Sequence, residues 1–306
     1  MIYTMTLNPA LDYNVTVEEF QPGRVNRSSG ETLIAGGKGL MVSRMLKNLG
    51  VDSTALGLAA GFTGEELIRM VHEAGVRTNF VTLPSGLTRI NVKLWGGIEG
   101  EINAAGPAYD EKSLQALLEK LGVLTSEDTL VLAGTVPASM PENLYASIME
   151  QMKEKSPRIV VDATGELLRN VIRFRPFLVK PNHHELGELY GAELRTKEEV
   201  LPYAKKLREE GAVNVLVSMA GEGAVLAAAD GSVWFGEAPQ GTVINPVGAG
   251  DSMVAGFLAV YDGKEKAAEA FRNGIAAGSA SAFSAGLATK EEVEQLAEQV
   301  KIEKVE

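Results

Sequence analysis

A chain of 306 residues has room for two domains, or for one α/β domain with a small appendage. Its 45% hydrophobic and 23% charged residues suit a globular enzyme, while a formal net charge of −11 argues against nucleic acid or an anionic membrane as a partner. With no cysteine there are no disulfides, thiol catalysis or thiolate metal sites; no apolar run approaches the ~20 residues of a bilayer span, Met1–Leu7 lacks a signal-peptide layout, and the cytoplasm is the expected compartment.

Ile2–Leu7 reads as an opening strand broken by Asn8-Pro9, and Tyr13, Val15 and Val17 alternate with polar neighbours as a second. Ala35-Gly36-Gly37-Lys38-Gly39 is a glycine turn ahead of a helix whose Val42, Met45, Leu46 and Leu49 share one face, closed by Gly50. Ala55–Ala60 suggests a buried strand and Glu65–Ala74 a helix stopped by Gly75. Arg89–Asn103 reads as a hairpin: Ile90, Val92 and Leu94 alternate, Gly96-Gly97 turns, and Ile98 and Ile102 return. With no helix inside either segment, this hairpin and the Tyr13–Val17 strand suit a small sheet apart from the main one.

From Asp110 the pattern becomes alternating helix and strand. Leu114, Leu117, Leu118 and Leu121 stripe a helix before the buried strand Thr129–Ala133. Helices over 143–155, 165–173, 185–190 and 197–210 follow, with strands at 159–161, 177–179, 215–217 and 224–228. This predicts a largely parallel sheet covered on both faces. Thr242, Val243 and Ile244 read as the end of another strand, and the last helices as 265–283 and 290–300.

The chemistry concentrates between Asn245 and Phe257. Val254, Phe257, Leu258 and Tyr261 fall at i, i+3, i+4 and i+7, so a helix begins near Gly250. Gly248 and Gly250 leave amides uncovered at its positive dipole end, an anion site whose usual guest is phosphate. Asp251 stands in the first turn, as a cap or as the proton acceptor of a phosphoryl transfer; a carboxylate there is expected to be acidic. Asn182 and Glu185, at i and i+3 beyond a strand, either cap a helix or face one ligand. His183 and His184 diverge by about 100° on a helix and make a poor zinc pair.

Gly36-Gly37-Lys38-Gly39 and Gly248-Ala249-Gly250-Asp251 together resemble the two signatures of the ribokinase-like (PfkB) sugar kinases. Leu7–Asp12, Val25-Asn26-Arg27, Lys180–Leu186 and Asn245-Pro246-Val247 are similar to the phosphosugar-kinase branch, and the likeness runs from Met1 to about Val300. The resemblance implies a single domain with a three-layer α/β/α fold, a mostly parallel central sheet, and a β-sheet lid formed by about 11–30 and 88–105. It further implies ATP- and Mg²⁺-dependent phosphorylation of a ketohexose phosphate, fructose 1-phosphate first and tagatose 6-phosphate second. A silent sugar-phosphate sensor is the rival from another class, and the presence of Asp251, Asn182 and Glu185 weighs against it.

By the same resemblance Asp251 is the base, and the amides of Gly248, Ala249 and Gly250 meet the charge on the transferring group. Lys180 reaches the ATP phosphates, and Val247, Ser218, Gly221 and Gly223 hold the nucleotide, although Ser218–Gly223 also reads as a glycine hairpin. Asn273 and Gly278 fall at the adenosine end. Asn182 and Glu185 match a motif tied to Mg²⁺ through water, and Asp162 resembles a second acidic position near the phosphates, with turn capping its other reading. On the acceptor side Asp12, Gly36, Gly37 and Lys38 lie against the sugar, and Thr135 adds a hydroxyl. Arg27, Lys38 and Arg89 gather around the acceptor's phosphate. Pairing of lids across a two-fold axis implies a homodimer. One position departs from the pattern: Met41 stands where the family carries Asn, and it cannot donate a hydrogen bond to a sugar hydroxyl. The sugar is then held differently, the substrate differs, or Met41 packs into the core beside Met45.

Overall fold

The computed structural model describes residues 1–97, 99–262 and 266–306. The first half runs β1 Ile2–Thr6, β2 Ala10–Val17, β3 Gly30–Gly36, α1 Lys38–Asn48, β4 Ser53–Ala59, α2 Gly61–Glu73, β5 Arg77–Thr82, β6 Arg89–Gly96, β7 Gly100–Ile102 and α3 Glu111–Glu119. Then come β8 Thr129–Ala133, α4 Leu144–Gln151, β9 Arg158–Asp162, α5 Gly165–Ile172, β10 Leu178–Val179, α6 His183–Tyr190 and α7 Lys197–Glu209. The chain closes with β11 Asn214–Ser218, β12 Ala224–Ala227, β13 Val233–Gly236, α8 Ala249–Val260, α9 Ala267–Ala282, α10 Lys290–Ala297 and β14 Ile302–Lys304.

One sheet has the strand order β14-β13-β12-β11-β10-β9-β8-β1-β4-β5, a smaller one β3-β2-β6-β7. From β5 through to β11 every pairing in the large sheet is parallel. Such strands are buried on both faces, which explains their near-continuous apolar runs. Leu130, Leu132, Val161, Val215 and Val217 face one way, into a core shared with α3 to α7. Val131, Val160, Leu178 and Leu216 face the other, under α1, α8, α9 and α10. Phe257 on α8 and Phe271 on α9 are fully enclosed there; truncating either to Ala should cost about 3–5 kcal/mol. The three-layer architecture and the separate small sheet are those expected from the sequence.

Several details differ. The large sheet ends in an antiparallel extension, β12, β13 and β14, whose last two strands hold four and three residues and give no periodic signal. Arg77–Thr82 forms the opposite edge, and Gly30–Gly36, of which only Ala35 and Gly36 are read from the sequence, as part of a glycine turn, is a lid strand paired along β2. Thr242–Ile244 is not a strand: Val243 and Ile244 are exposed, and the Ile244 and Asn245 amides both donate to the Ala282 carbonyl at the end of α9. Two expectations, Ile98 on the returning hairpin strand and Glu265 at the start of the penultimate helix, lie outside the described residues.

Candidate active site

At the C-terminal edge of the parallel strands, a cavity of about 400 Å³ opens between the large sheet and the lid, where open α/β sheets usually bind ligands. Two chain reversals supply its polar floor. The first lies between β3 and α1. Gly36 sits so close under the Asp12 carboxylate that any Cβ would collide with it, and Gly37 (φ 122°) turns the chain from strand into helix. Lys38 is thereby delivered as the first helical residue, with its side chain over Gly134. Asp12 is fixed from the lid, its Oδ1 accepting from Asn91 Nδ2 at 2.8 Å.

The second reversal starts α8. Gly248 adopts the left-handed conformation (φ 84°) and no side chain caps the helix. The Ala249 amide turns back to the Pro246 carbonyl, leaving those of Gly250 and Asp251 without a backbone acceptor among the described residues. Lys180 leans over this end, its Nζ 3.3 Å from where a Gly250 Cβ would stand. Free amides, the dipole and an ammonium group together make a strong anion site.

Between the reversals lie two buried carboxylates. Asp162, at the end of β9, is fully buried and its Oδ1 meets Lys38 Nζ at 3.2 Å and Lys180 Nζ at 3.4 Å. Burial opposes its ionisation, but the two ammonium groups outweigh that and hold its pKa below the usual range. Asp251 is pushed up to about 7 by burial and then by the charge of Asp162, against the pull of Lys38 and Lys180. This corrects the expectation of an acidic Asp251: helix-dipole stabilisation is outweighed by desolvation and a like charge. Lys38 is the converse. Burial would lower its pKa, and Asp162, Asp251 and Glu185 raise it instead.

Asn182 and Glu185 form a reciprocal capping box at the start of α6, Asn182 Oδ1 accepting from the Glu185 amide and Glu185 Oε2 from the Asn182 amide, each at 2.8 Å. Capping is therefore a real role for both. Among the described residues no three of His, Cys, Asp and Glu converge to cage a metal. Asp162 Oδ2 is buried with no protein partner among them. This sparse carboxylate set fits Mg²⁺, which keeps several waters and commonly rides on phosphates. The His183 and His184 rings lie tilted at 39° with centroids 3.8 Å apart, and His183 is held below its usual pKa by burial and by His184.

Of the acceptor-side residues, Asp12, Gly37, Lys38, Met41, Arg89 and Thr135 line the cavity, as Val247 and Asp251 do. Arg89 is braced rather than free: Nε and Nη2 donate to the Asn8 carbonyl at 3.2 and 3.0 Å, and Nη1 to Ala104 at 3.3 Å. Arg27 is not brought to the cavity; it stands on the exposed loop between β2 and β3. Ser218 bridges to Asn182 at the sheet edge, and Gly221 and Gly223 belong to the turn joining β11 to β12. Asn273 donates to the Gly256 carbonyl at 2.7 Å, and Gly278 is buried against Ala249 and Met253, so both serve the α8–α9 crossing. Met41 is neither wholly core nor wholly site. It is 9% exposed, its methyl lies against Gly248, and its Sδ is 3.8 Å from Arg44 Nη1.

Sequence reasoning passed over Asn8, Arg44, Asn91, Lys93 and Glu101, which also line the cavity. A signal was present for two of them. The alternation of Ile90, Val92 and Leu94 puts Arg89, Asn91 and Lys93 together on the opposite face of β6.

The family described as "pfkB family carbohydrate kinase" matches residues 5–294. The chain is 49% identical to a 1-phosphofructokinase of Bacillus subtilis, covering 99% of each. It is 34% identical to a D-tagatose-1-phosphate kinase of Bacillus licheniformis, again over 99% of each. That relative is named for the 1-phosphate, whereas the motifs pointed to tagatose 6-phosphate. Among solved structures, phosphofructokinase-2 of Escherichia coli in complex with substrates and products superposes with a TM-score of 0.89, at 27% identity over 97% of this chain and 98% of that one. The signature glycines, Lys38 and Asp251 thus stand in a matching chain on a matching fold, and the protein belongs to the pfkB family of carbohydrate kinases.

Proposed function

We propose that this enzyme transfers the γ-phosphoryl group of ATP to the free primary hydroxyl of fructose 1-phosphate, giving fructose 1,6-bisphosphate. The observation that carries this reading is Asp251: a buried carboxyl with a pKa of about 7, one turn into an uncapped helix and opening on the cavity. A base whose pKa lies near the working pH keeps both a useful ionised fraction and real proton affinity. Asp251 takes the hydroxyl proton, while the Gly250 and Asp251 amides with Lys180 receive charge on the transferring group. Lys38 stays cationic between Asp162 and Asp251, and its ammonium extends that positive field to the acceptor side. Mg²⁺, held through water near Asp162 and Glu185, would offset phosphate charge.

The 49% identity to a 1-phosphofructokinase supports the acceptor. Tagatose 1-phosphate is the second reading, supported by the 34% identity to a kinase named for it; the two sugars differ only in the C4 configuration. The cytoplasm, where ATP and sugar phosphates meet, is the compartment we assign; among the described residues no helix is long and apolar enough to cross a membrane. ATP turnover measured across a panel of free and phosphorylated ketohexoses tests the reading. The highest kcat/KM is expected with fructose 1-phosphate. Tight binding of sugar phosphate without turnover would instead make the protein a sensor.

The lid also points to a homodimer. Its cavity-side face is polar, with Asp12, Asn14, Asn91 and Lys93, and its other face carries Tyr13, Val15, Leu33, Ile90, Val92 and Leu94. Each of those six is partly or fully exposed in the single chain. A small sheet with an open apolar face is poorly stable alone. A second copy supplies a cover of the same composition, related by a two-fold axis.

A further inference from the structure

Among the described residues four cations line the cavity: Lys38, Arg44, Arg89 and Lys93. Three have committed donors. Lys38 donates to Asp162, Arg44 to the Ala35 carbonyl at 3.3 Å, and Arg89 to the carbonyls of Asn8 and Ala104. Lys93 differs. It is only 9% exposed, yet its ammonium makes no hydrogen bond among the described residues. Its two carboxylate neighbours, Asp12 Oδ2 at 3.9 Å and Glu101 Oε1 at 3.7 Å, lie beyond hydrogen-bond length. The side chain is largely enclosed, but its ammonium opens on the cavity and is held there only at ion-pair distance, so its three donors stay available to an anion that enters.

The placement narrows what that acceptor is. Lys93 lies on the polar face of β6 beyond Asn91, and Asn91 holds Asp12 from the same face. Asp12 accepts but cannot donate when ionised, so it suits sugar hydroxyls and repels anions. Lys93 beside it suits the one group of the acceptor that Asp12 cannot bind, its phosphate. Glu101, 50% exposed on the short rim strand β7, partly neutralises Lys93. A dianion can displace that carboxylate; a neutral sugar brings nothing to replace it.

We propose that Lys93 is the residue by which this enzyme selects phosphorylated over unphosphorylated acceptors, its ammonium binding the acceptor's own phosphate in place of Glu101. This rests on the sugar-phosphate reading above, and it moves the main phosphate contact away from Arg27, Lys38 and Arg89, the three cations the sequence pointed to.

The test compares wild type, Lys93→Met, Lys93→Arg and Glu101→Gln with fructose 1-phosphate and with unphosphorylated fructose. Lys93→Met should lower kcat/KM for fructose 1-phosphate by roughly 10–150-fold, the range for a lost charged hydrogen bond. It should lower kcat/KM for unphosphorylated fructose far less, and it should raise the KM for the phosphorylated acceptor more than that for ATP. Lys93→Arg should recover most of the loss, and Glu101→Gln should lower the KM for the phosphorylated acceptor several-fold. Equal losses on both sugars would overturn the proposal, because Lys93 would then only orient Asp12. An unaltered preference in Lys93→Met would overturn it as well. If Lys93→Met does not fold, Glu101→Gln decides: an acceptor KM that stays the same or rises sinks the proposal. Failure of the function reading looks different, since wild type would then not phosphorylate fructose 1-phosphate. In that event calorimetry with fructose 1-phosphate still decides, and binding as tight to Lys93→Met as to wild type would rule Lys93 out.

Discussion

Asp162 adds to what burial does to Asp251: the first carboxylate, kept ionised by Lys38 and Lys180, joins desolvation in raising the pKa of the second to about 7. Neighbouring buried carboxyl groups pushed in opposite directions give one fixed charge and one titrating base.

The coupling sets the pH profile. If Asp251 must be ionised to accept the hydroxyl proton, kcat falls as pH drops through about 7. Asp162→Asn removes the neighbouring negative charge and releases both lysines toward Asp251. Both changes favour its carboxylate and move the acidic limb of kcat to lower pH, whatever else the variant loses in rate. A limb that stays in place in the pH–kcat profile of Asp162→Asn would disconnect the two residues.

Asp251→Asn should lose turnover on the order of 10²–10⁴-fold while still binding nucleotide. Its stability carries a sign. A carboxyl whose folded pKa is raised from 3.8 to about 7 stabilises the fold only while protonated, and that contribution is lost as pH rises from about 4 through 7. Asn never ionises, so the variant should melt higher than wild type at pH 8, and the gap should close at acid pH. Paired thermal melts at pH 4 and pH 8 measure this.

Met41→Asn should raise kcat/KM for fructose 1-phosphate several-fold, the net value of one hydrogen bond at ~0.5–1.5 kcal/mol. It should also lower the melting temperature, because the Met41 methyl packs on Gly248 and a shorter polar side chain leaves that contact unfilled. Kinetics on several sugar phosphates beside a melt separate the effects. A lowered melting point with an unchanged substrate profile would make Met41 a packing residue alone.

Ile90→Glu puts a charge in the middle of the apolar lid face, where Ile90 is 42% exposed in the single chain. Light scattering should then show monomers where wild type gives dimers, with little change in folding. A wild type already monomeric at assay concentrations would remove the lid interface.

How much of this was readable from the chain depended on how local each signal was. The βα rhythm was plain because Val160-Val161 and Val215–Val217 must be apolar on both sides of a buried sheet. Lid strand β3 was hidden by Gly30 and Gly36 at its ends and by Glu31 and Thr32, residues that also favour loops. Strand β14 is three residues long and exists only through pairing with β13. The site glycines and Asp251 were legible as motifs, whereas the Lys38–Asp162 contact spans 124 positions and leaves no trace in either neighbourhood. The pKa direction of Asp251 was misread for the same reason, since dipole arguments see the helix and not the carboxylate across from it. Lys93 is legible in part, because an apolar Ile90, Val92 and Leu94 face on β6 implies that Arg89, Asn91 and Lys93 share the other.

The turn between the lid and the large sheet has a mechanical consequence. The chain passes from β3 to α1 through Gly37 alone, so the strand under Asp12 and the helix bearing Lys38 share a one-residue joint. Any rotation of the lid about Gly37 would act as a lever arm on α1, whose short end is the ammonium that faces Asp162. Contact at Asp12 and the position of the Lys38 ammonium would then be joined through that one residue, with no chain of intermediaries needed to carry the message.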